Sequence, residues 1–147
     1  MKISTRGRYG LKAMIDLTVE SIDGKCVCLK SIAERQGIPE NYLEQLIALL
    51  KKAGLVKSLR GAQGGYILGR SPKDITAGDI LRVLEGSLSP VDCVESGEAA
   101  CGTGNCGTCA TKAVWGKIYE SLNDVVDAIT LEDLARDSNM KGDFVHE

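Results

Sequence analysis

Aromatic and histidine side chains are scarce in this chain of 147 residues, which has one Trp, one Phe, four Tyr and a single His. No apolar run approaches the ~20 residues that a membrane-spanning helix needs, so no membrane segment is predicted. The first residues, MKISTRGRYG, are polar and lack the apolar stretch of a secretory signal. These absences predict a cytoplasmic protein, in which cysteine thiols stay reduced.

Catalytic motifs are also missing from the sequence. It contains no nucleophile elbow, no HExxH and no dinucleotide-binding fingerprint, and its lone His146 lies near the C-terminal end. Because acid–base and nucleophilic chemistry need a positioned base, the sequence predicts a binding protein and not an enzyme.

The charge is divided unevenly along the chain. Residues 1–70 hold twelve Lys and Arg against six Asp and Glu, whereas residues 71–147 hold six against fourteen. A basic front half predicts a part that binds a polyanion such as nucleic acid. The alternative is two solvated surfaces of opposite sign, so the order of the elements has to decide.

Hydrophobic spacing predicts a mainly α-helical fold with a small β-wing. A helix is expected over 5–21, a short helix closed by Gly37 follows, and a third helix ends at Gly54. Two β-prone runs, Leu55–Leu59 and Tyr66–Leu68, then flank the glycine-rich RGAQGG. A helix-turn-helix followed by such a hairpin is a winged helix, a fold that binds DNA.

A long amphipathic helix is predicted from Thr111 to about Ile129. Its apolar stripe consists of Val114, Ile118, Leu122, Val125 and Ile129. Since the front domain has limited room for this stripe, we expect the helix to pair with a second copy of the chain as a homodimer. The predicted units are a winged helix-turn-helix domain (1–88), a cysteine-rich cluster-binding loop (89–110), a dimerisation helix (111–130), and a short terminal helix with a flexible tail (131–147).

The exposed side chains of the third helix and the wing suit contacts with DNA. Asn and Gln pair with adenine edges, and Glu accepts a hydrogen bond from cytosine. The predicted base-contacting residues of the helix are Glu40, Asn41, Tyr42, Glu44 and Gln45. Arg60 and Gln63 are expected at the wing tip, and Arg6, Lys51 and Lys57 are expected at phosphates. Singly these are ordinary exposed residues, but as an ordered set on a basic winged helix they predict binding to double-stranded operator DNA.

Four of the six cysteines lie in the segment CVESGEAACGTGNCGTC, which runs from 93 to 109. Seven, four and two residues separate Cys93, Cys101, Cys106 and Cys109, and the glycines between them let several thiolates converge. In a reducing compartment this favours a metal site over a disulfide knot. A structural zinc site usually pairs two C-x-x-C units and only one is present, so the spacing leaves iron–sulfur, zinc and redox-active or inert thiols open.

The remaining cysteines, Cys26 and Cys28, alternate in a short β-like run. They are expected to point the same way and to behave as small apolar side chains.

Five sequence blocks together resemble the Rrf-type family of winged-helix bacterial transcription regulators. They are MKISTRGRYGLKAMIDL, LKSIAERQGI, YLEQLIALLKKAGLVKSLRGAQGGYILG, ITAGDILRVLEG and ITLEDLA. The match covers residues 1–136 in order, and the YLEQL and RG-x-x-GGY blocks are hard to obtain by accident. The resemblance implies a homodimeric repressor whose long helix crosses to its partner.

The resemblance also implies that the cysteine loop holds an iron–sulfur cluster, as in the sensing members, with a 2Fe-2S cluster expected over a 4Fe-4S one. Iron–sulfur members often place a His three residues after the last loop cysteine, where this chain has Lys112. Other members use an acidic residue near the start of the first helix, where this chain has Arg8 and Lys12. We therefore expect all four loop cysteines to be ligands, or three of them with a ligand from elsewhere.

Three functional classes follow from the sequence. The first is a regulator that senses iron–sulfur cluster status and controls cluster-assembly or related genes. The second is a repressor of the same family that responds to nitric oxide or cysteine metabolism, with a loop that acts through thiol chemistry or zinc. The third is a small redox or metal-carrier protein that does not bind DNA.

Overall fold

A computed structural model describes residues 2–91, 94 and 110–140 of the chain. Within these residues the chain forms six α-helices and one antiparallel two-stranded sheet, which confirms the predicted mainly α fold with a β-wing. The elements are α1 (Thr5–Glu20), α2 (Leu29–Gln36), α3 (Glu40–Lys52), β1 (Val56–Leu59), β2 (Gly65–Leu68), α4 (Ala77–Glu85), α5 (Lys112–Ala128) and α6 (Leu131–Met140). None of the described helices has both the length and the apolar character needed to cross a bilayer.

The helix-turn-helix is held by apolar side chains at helical spacing. Four residues of α3 are at most 1% exposed, and they pack with α1 and α2 in one core: Leu43, Leu46, Ile47 and Leu50. The turn begins at Gly37, whose left-handed backbone (φ 66°) ends α2. Such a conformation is costly for residues with a Cβ, so the sequence places the turn here.

The wing is a hairpin in which Val56 pairs with Leu68 and Leu59 pairs with Gly65. Its strands lie within one residue of the predicted runs. Val27 adds a short antiparallel bridge to Tyr66, with N–H···O distances of 2.9 and 2.8 Å, and so attaches the wing to the segment before α2.

This bridge corrects the interpretation of the two nearby cysteines. Val27 is buried at 6% exposure, whereas Cys28 is exposed and Cys26 is partly exposed. In an extended segment alternate side chains point to opposite sides, so the valine faces the core and both cysteines face away from it. The two cysteines do point the same way, as expected, but Cys28 is exposed and does not behave as a small apolar side chain.

Helix α6 packs against the front domain. Leu131 at the start of α6 is fully buried in the main core, and its N–H donates to the Ile75 carbonyl at 2.9 Å. The Ala77 N–H donates to the Ile129 carbonyl at 2.8 Å, so the starts of α4 and α6 lie side by side. Thr76 and Asp79 form a capping box at the start of α4.

Helix α5 uses only part of its apolar stripe within its own chain. Val126 is buried, and Leu122 and Ile129 pack with it against Leu81 and neighbouring residues of the front domain. Val114 and Val125, in contrast, are 51% and 58% exposed. The helix therefore lies on α4 along one edge and leaves a second apolar edge uncovered.

Candidate DNA-binding surface and cysteine segment

The first two turns of α3 present a continuous polar face. Four of the predicted base-contacting residues are exposed and recur one, three and one positions apart: Glu40, Asn41, Glu44 and Gln45. The opposite face is buried in the core, so the helix axis is fixed while this face is free. This is the arrangement by which the second helix of a helix-turn-helix enters the major groove.

Tyr42 differs from the other predicted contacts because it is half-buried. Its ring meets the Tyr9 ring edge-on, with centroids 6.0 Å apart and planes at 81°. The Lys12 ammonium lies 6.0 Å from the centroid of the Tyr9 ring. Tyr42 thus attaches the start of α3 to α1, and a lysine of α1 lies beside this contact.

Neither Tyr9 nor Lys12 was predicted to be part of this surface. Their spacing of three residues on a helix places them on one face of α1, and this was the available signal. Which face of α1 approaches α3 is decided by packing, so the spacing alone could not connect them with Tyr42.

The basic residues predicted to contact DNA are exposed. Arg60 and Gln63 are exposed at the wing tip, and Lys57 is exposed on β1. Across the described ranges 2–91 and 110–140, none of the four predicted basic contacts takes part in an ion pair: Arg6, Lys51, Lys57 and Arg60. Their charges are therefore available to phosphate oxygens.

The cysteines predicted to hold a cluster, Cys93, Cys101, Cys106 and Cys109, lie outside the described residues. The structure does describe the two elements on either side of them, because the segment follows α4 and precedes α5. Lys112, three residues after the last of these cysteines, is the first residue of α5 and is half-buried.

A three-residue contact fixes the C-terminal half of α5 against α4. Arg82 donates to both carboxylate oxygens of Asp127 at 2.7 and 2.9 Å, and to Asn123 Oδ1 at 2.8 Å. The hydrogen bond from Arg82 holds the pKa of Asp127 below its ordinary value. A planar guanidinium that binds a carboxylate through two bonds also fixes the angle between the helices.

The structure offers no competing metal site in the part of the chain that it describes. No group of three or more His, Cys, Asp or Glu side chains is placed there to hold an ion. Four thiols in one segment, by contrast, are a donor set that suits iron–sulfur clusters and zinc. The loop cysteines therefore fit such a group by their chemistry.

Cys28 is a second kind of thiol. It is exposed at the N-terminal end of α2, and hydrogen bonds with the side chain and backbone of Ser31 lower its pKa. A lowered pKa raises the thiolate fraction, so this thiol is available for reaction with solvent-borne reagents. It provides a control for experiments on the loop cysteines.

The arrangement of α2, α3 and the wing defines a winged-helix protein of the kind that binds DNA. The Rrf2 family model, described as an iron-dependent transcriptional regulator, matches residues 3–137. The chain belongs to the Rrf2 family and is a transcriptional regulator, which confirms the resemblance seen in the sequence.

Relatives named CymR and IscR both align with nearly the whole chain. The HTH-type transcriptional regulator CymR of Bacillus subtilis is 50% identical over 135 residues, which cover 92% of this chain and 90% of the relative. The HTH-type transcriptional regulator IscR of Photobacterium profundum is 40% identical over 141 residues, which cover 96% and 79%.

Solved structures of both CymR and IscR also resemble this chain. The structure of CymR, the global cysteine regulator of B. subtilis, has a TM-score of 0.75 and 48% identity, and the match covers 92% of this chain and 97% of that one. The structure of T. potens IscR has a TM-score of 0.74 and 53% identity, and the match covers 94% and 88%.

Proposed function

We propose that this chain is a homodimeric, DNA-binding repressor that senses iron–sulfur cluster status and controls cluster-assembly or related genes in the cytoplasm. The observation that carries the DNA-binding half is the polar face of α3 beside a wing whose exposed Lys57 and Arg60 form no ion pair among the described residues. The observation that carries the sensing half is the set of four cysteines between α4 and α5. The family's description as iron-dependent supports both halves.

The proposed roles of the DNA-contacting residues follow from their chemistry and position. Base edges in the major groove are read by Glu40, Asn41, Tyr42, Glu44 and Gln45. Arg60 and Gln63 bring the wing tip to the minor groove or the backbone, and Arg6, Lys51 and Lys57 hold phosphates. Two copies of the chain present two such surfaces to the two halves of an operator.

Two substitutions distinguish a residue that contacts bases from a residue that contacts phosphates. We expect Gln45→Ala to relax the preference for the operator over an unrelated duplex by about 1–3 kcal/mol. Lys57→Ala weakens binding to both duplexes alike and reduces the salt slope of the binding constant by about one. Fluorescence anisotropy at several salt concentrations measures both effects. Equal losses of specificity in the two variants would contradict the assigned roles.

The proposed cluster ligands are Cys93, Cys101, Cys106 and Cys109, or three of these with a ligand from elsewhere. We propose a cluster of the 2Fe-2S type. When bound, it would be the signal-sensitive group, because iron shortage, oxygen or nitric oxide can remove it. The chain's own part is to join this segment to α4 and α5, whose relative position Arg82 and Asp127 fix. A ligand changes the DNA-binding population only through its different affinity for two arrangements of the protein.

The experiment is to purify the protein without oxygen, record its visible absorption, and count iron and sulfide per chain. We expect coloured protein that loses its absorption in Cys93→Ser and Cys109→Ser. Cys28→Ser is the matched control, because it removes a cysteine outside the segment and leaves the colour unchanged. Wild-type protein that stays colourless after anaerobic reconstitution with iron and sulfide would overturn the sensing half.

A second candidate is favoured by the 50% identity with CymR. In it the chain is a repressor that responds to cysteine metabolism, or to nitric oxide, and its loop acts through thiol chemistry or zinc. Colourless protein with stoichiometric zinc, or with no metal, supports this candidate if the protein still binds its operator. A carrier that does not bind DNA is disfavoured, because the family consists of transcriptional regulators.

A further inference from the structure

Helix α1 begins without a cap from its own sequence. Its N-cap residue Ser4 makes no side-chain capping hydrogen bond, and its first turn contains no acidic residue. Instead the first turn and its surroundings are basic, with exposed Arg6 and Arg8. Cations are unfavourable near a helix N-terminus, where the backbone N–H groups already carry partial positive charge.

The missing cap is supplied by Glu85, the last residue of α4. Its Oε1 atom accepts from the Ser4 N–H at 2.8 Å, from the Ser4 hydroxyl at 2.7 Å and from the Gly7 N–H at 3.1 Å. Gly7 is the third residue of α1, and this N–H is the one that an N-cap side chain usually satisfies. A carboxylate 78 positions away in sequence thus takes the place of a local cap.

The fit between Glu85 and α1 depends on a residue with no side chain. A Cβ at Gly7 would collide with the Glu85 carboxylate and would lie 2.8 Å from Ile3 Cγ2. Gly10, one turn later, meets the Leu84 side chain in the same way. Two glycines therefore let α4 approach α1 closely enough for the carboxylate to reach the backbone.

Glu85 also lies where three parts of the chain meet. It lines a cavity of about 460 Å³ together with Lys2, Leu88, Pro90 and Ile118. These residues come from the N-terminal segment, from the stretch that leads toward the cysteines, and from α5. The cap of α1 therefore lies where the stretch after α4 meets α5.

We propose that Glu85 is a positioning residue for DNA binding: it fixes the first turn of α1 so that Arg6 and Arg8 are held at the phosphate backbone. The proposal rests on the DNA-binding half of the proposed function. Without the carboxylate, three donors lose their acceptor and the first turn frays, as capless helix ends do. Tyr9 comes directly after this turn and packs on Tyr42. A shift of the turn would therefore also displace the start of α3.

The test uses the full chain with Glu85→Ala and Glu85→Gln, and with Glu120→Gln on the exposed side of α5 as control. Loss of a negative charge by itself strengthens binding to DNA. The positioning role predicts the opposite, namely that replacing Glu85 weakens operator binding. We expect Glu85→Ala to weaken operator binding about tenfold and to lower the salt slope by roughly two, one for each arginine. Glu85→Gln keeps a neutral acceptor and loses less, and Glu120→Gln loses nothing.

A double-mutant comparison separates positioning from a general loss of structure. In a background of Arg6→Ala and Arg8→Ala, Glu85→Ala should weaken binding no further. An equal loss in both backgrounds, an unchanged salt slope, or binding as tight as wild type would overturn the proposal. If Glu85→Ala does not fold, Glu85→Gln carries the same comparison. Wild-type protein that binds no duplex at all would instead count against the proposed function.

Discussion

At the scale of single residues, the buried Asp16 shows how much one side chain fixes. Its side chain is 3% exposed, and it accepts two hydrogen bonds from Arg35 at 2.7 and 2.9 Å and one from Gln36 at 2.9 Å. These bonds join α1 to the end of α2, immediately before the turn at Gly37. A buried carboxylate without such donors would be strongly unfavourable, so the three groups have to stay together.

We expect Asp16→Ala to lower the free energy of unfolding by about 2 kcal/mol at neutral pH, as loss of hydrogen bonds to a charged group does. The matched control is Glu20→Ala. Glu20 lies 4.0 Å from the same arginine but is 44% exposed, so its loss should change stability by under about 0.5 kcal/mol. Urea unfolding followed by circular dichroism measures both. Similar losses in the two variants would show that burial does not decide the outcome.

At the scale of elements, the contact between α4 and α5 combines apolar burial with an ion pair. Apolar burial around Val126 and Leu81 holds the two helices together, whereas Arg82 fixes the angle between their axes. Gly78 permits this approach, because a Cβ there would collide with Asp127 and would lie 3.1 Å from Val126. Apolar packing, the Arg82 contact and the missing side chain at Gly78 together hold the C-terminal half of α5 against α4.

The electrostatic part of this contact should depend on pH. Because the pKa of Asp127 is lowered in the folded chain, its stabilising effect is complete above the ordinary carboxyl value near 4 and is lost as the pH falls through the lowered value. We expect Asp127→Asn to cost a few tenths to about 1 kcal/mol at pH 6 and less at pH 3.

Urea unfolding of wild type and variant at the two pH values measures this difference. Asp124→Asn is the control, since Asp124 is exposed on the same helix and has no ion-pair partner among the residues that the structure describes. A loss in Asp127→Asn that is as large at pH 3 as at pH 6 would contradict the assignment of the effect to this ion pair.

At the scale of the whole molecule, the uncovered apolar edge of α5 suits an interface with a second copy of the chain. Val114 and Val125 lie eleven residues apart, which returns them to nearly the same face of a helix that turns about 100° per residue. Ile118 lies close to this line, and both valines are more than half exposed. An apolar edge on a helix that is already docked on its other side fits a second copy of the chain.

We expect Val125→Glu to convert a dimer into a chain that sediments at 15.7 kDa, and to weaken operator binding because two half-sites are no longer bound together. Ala113→Glu introduces the same charge at another position of α5, on a different face, and should leave the dimer intact. Sedimentation velocity distinguishes the two. A Val125→Glu variant that remains dimeric would place the interface elsewhere.

The elements of this fold were predictable from the sequence because their signals are local. Apolar spacing predicted α3, and the wing strands lie within a residue of their β-prone runs. The polar face of α3 followed directly, since burying Leu43 and Leu46 leaves Glu44 and Gln45 outside.

The errors and omissions arose where contacts join distant parts of the chain. Cys28 was expected to act as an apolar side chain and is exposed, because the bridge between Val27 and Tyr66 decided which side of the segment faces inward. The capping of α1 by Glu85 had no sequence signal, since nothing in the spacing connects residues 78 positions apart.

The sequence by itself determined that this protein has a winged helix, a basic front half and a segment with four cysteines, because helix periodicity, charge and thiol content are properties of neighbouring residues. Only the tertiary structure decided that Glu85 caps α1, that Arg82 binds Asp127, and that one edge of α5 stays uncovered. These depend on which surfaces approach each other, and that is set by the packing of the whole core.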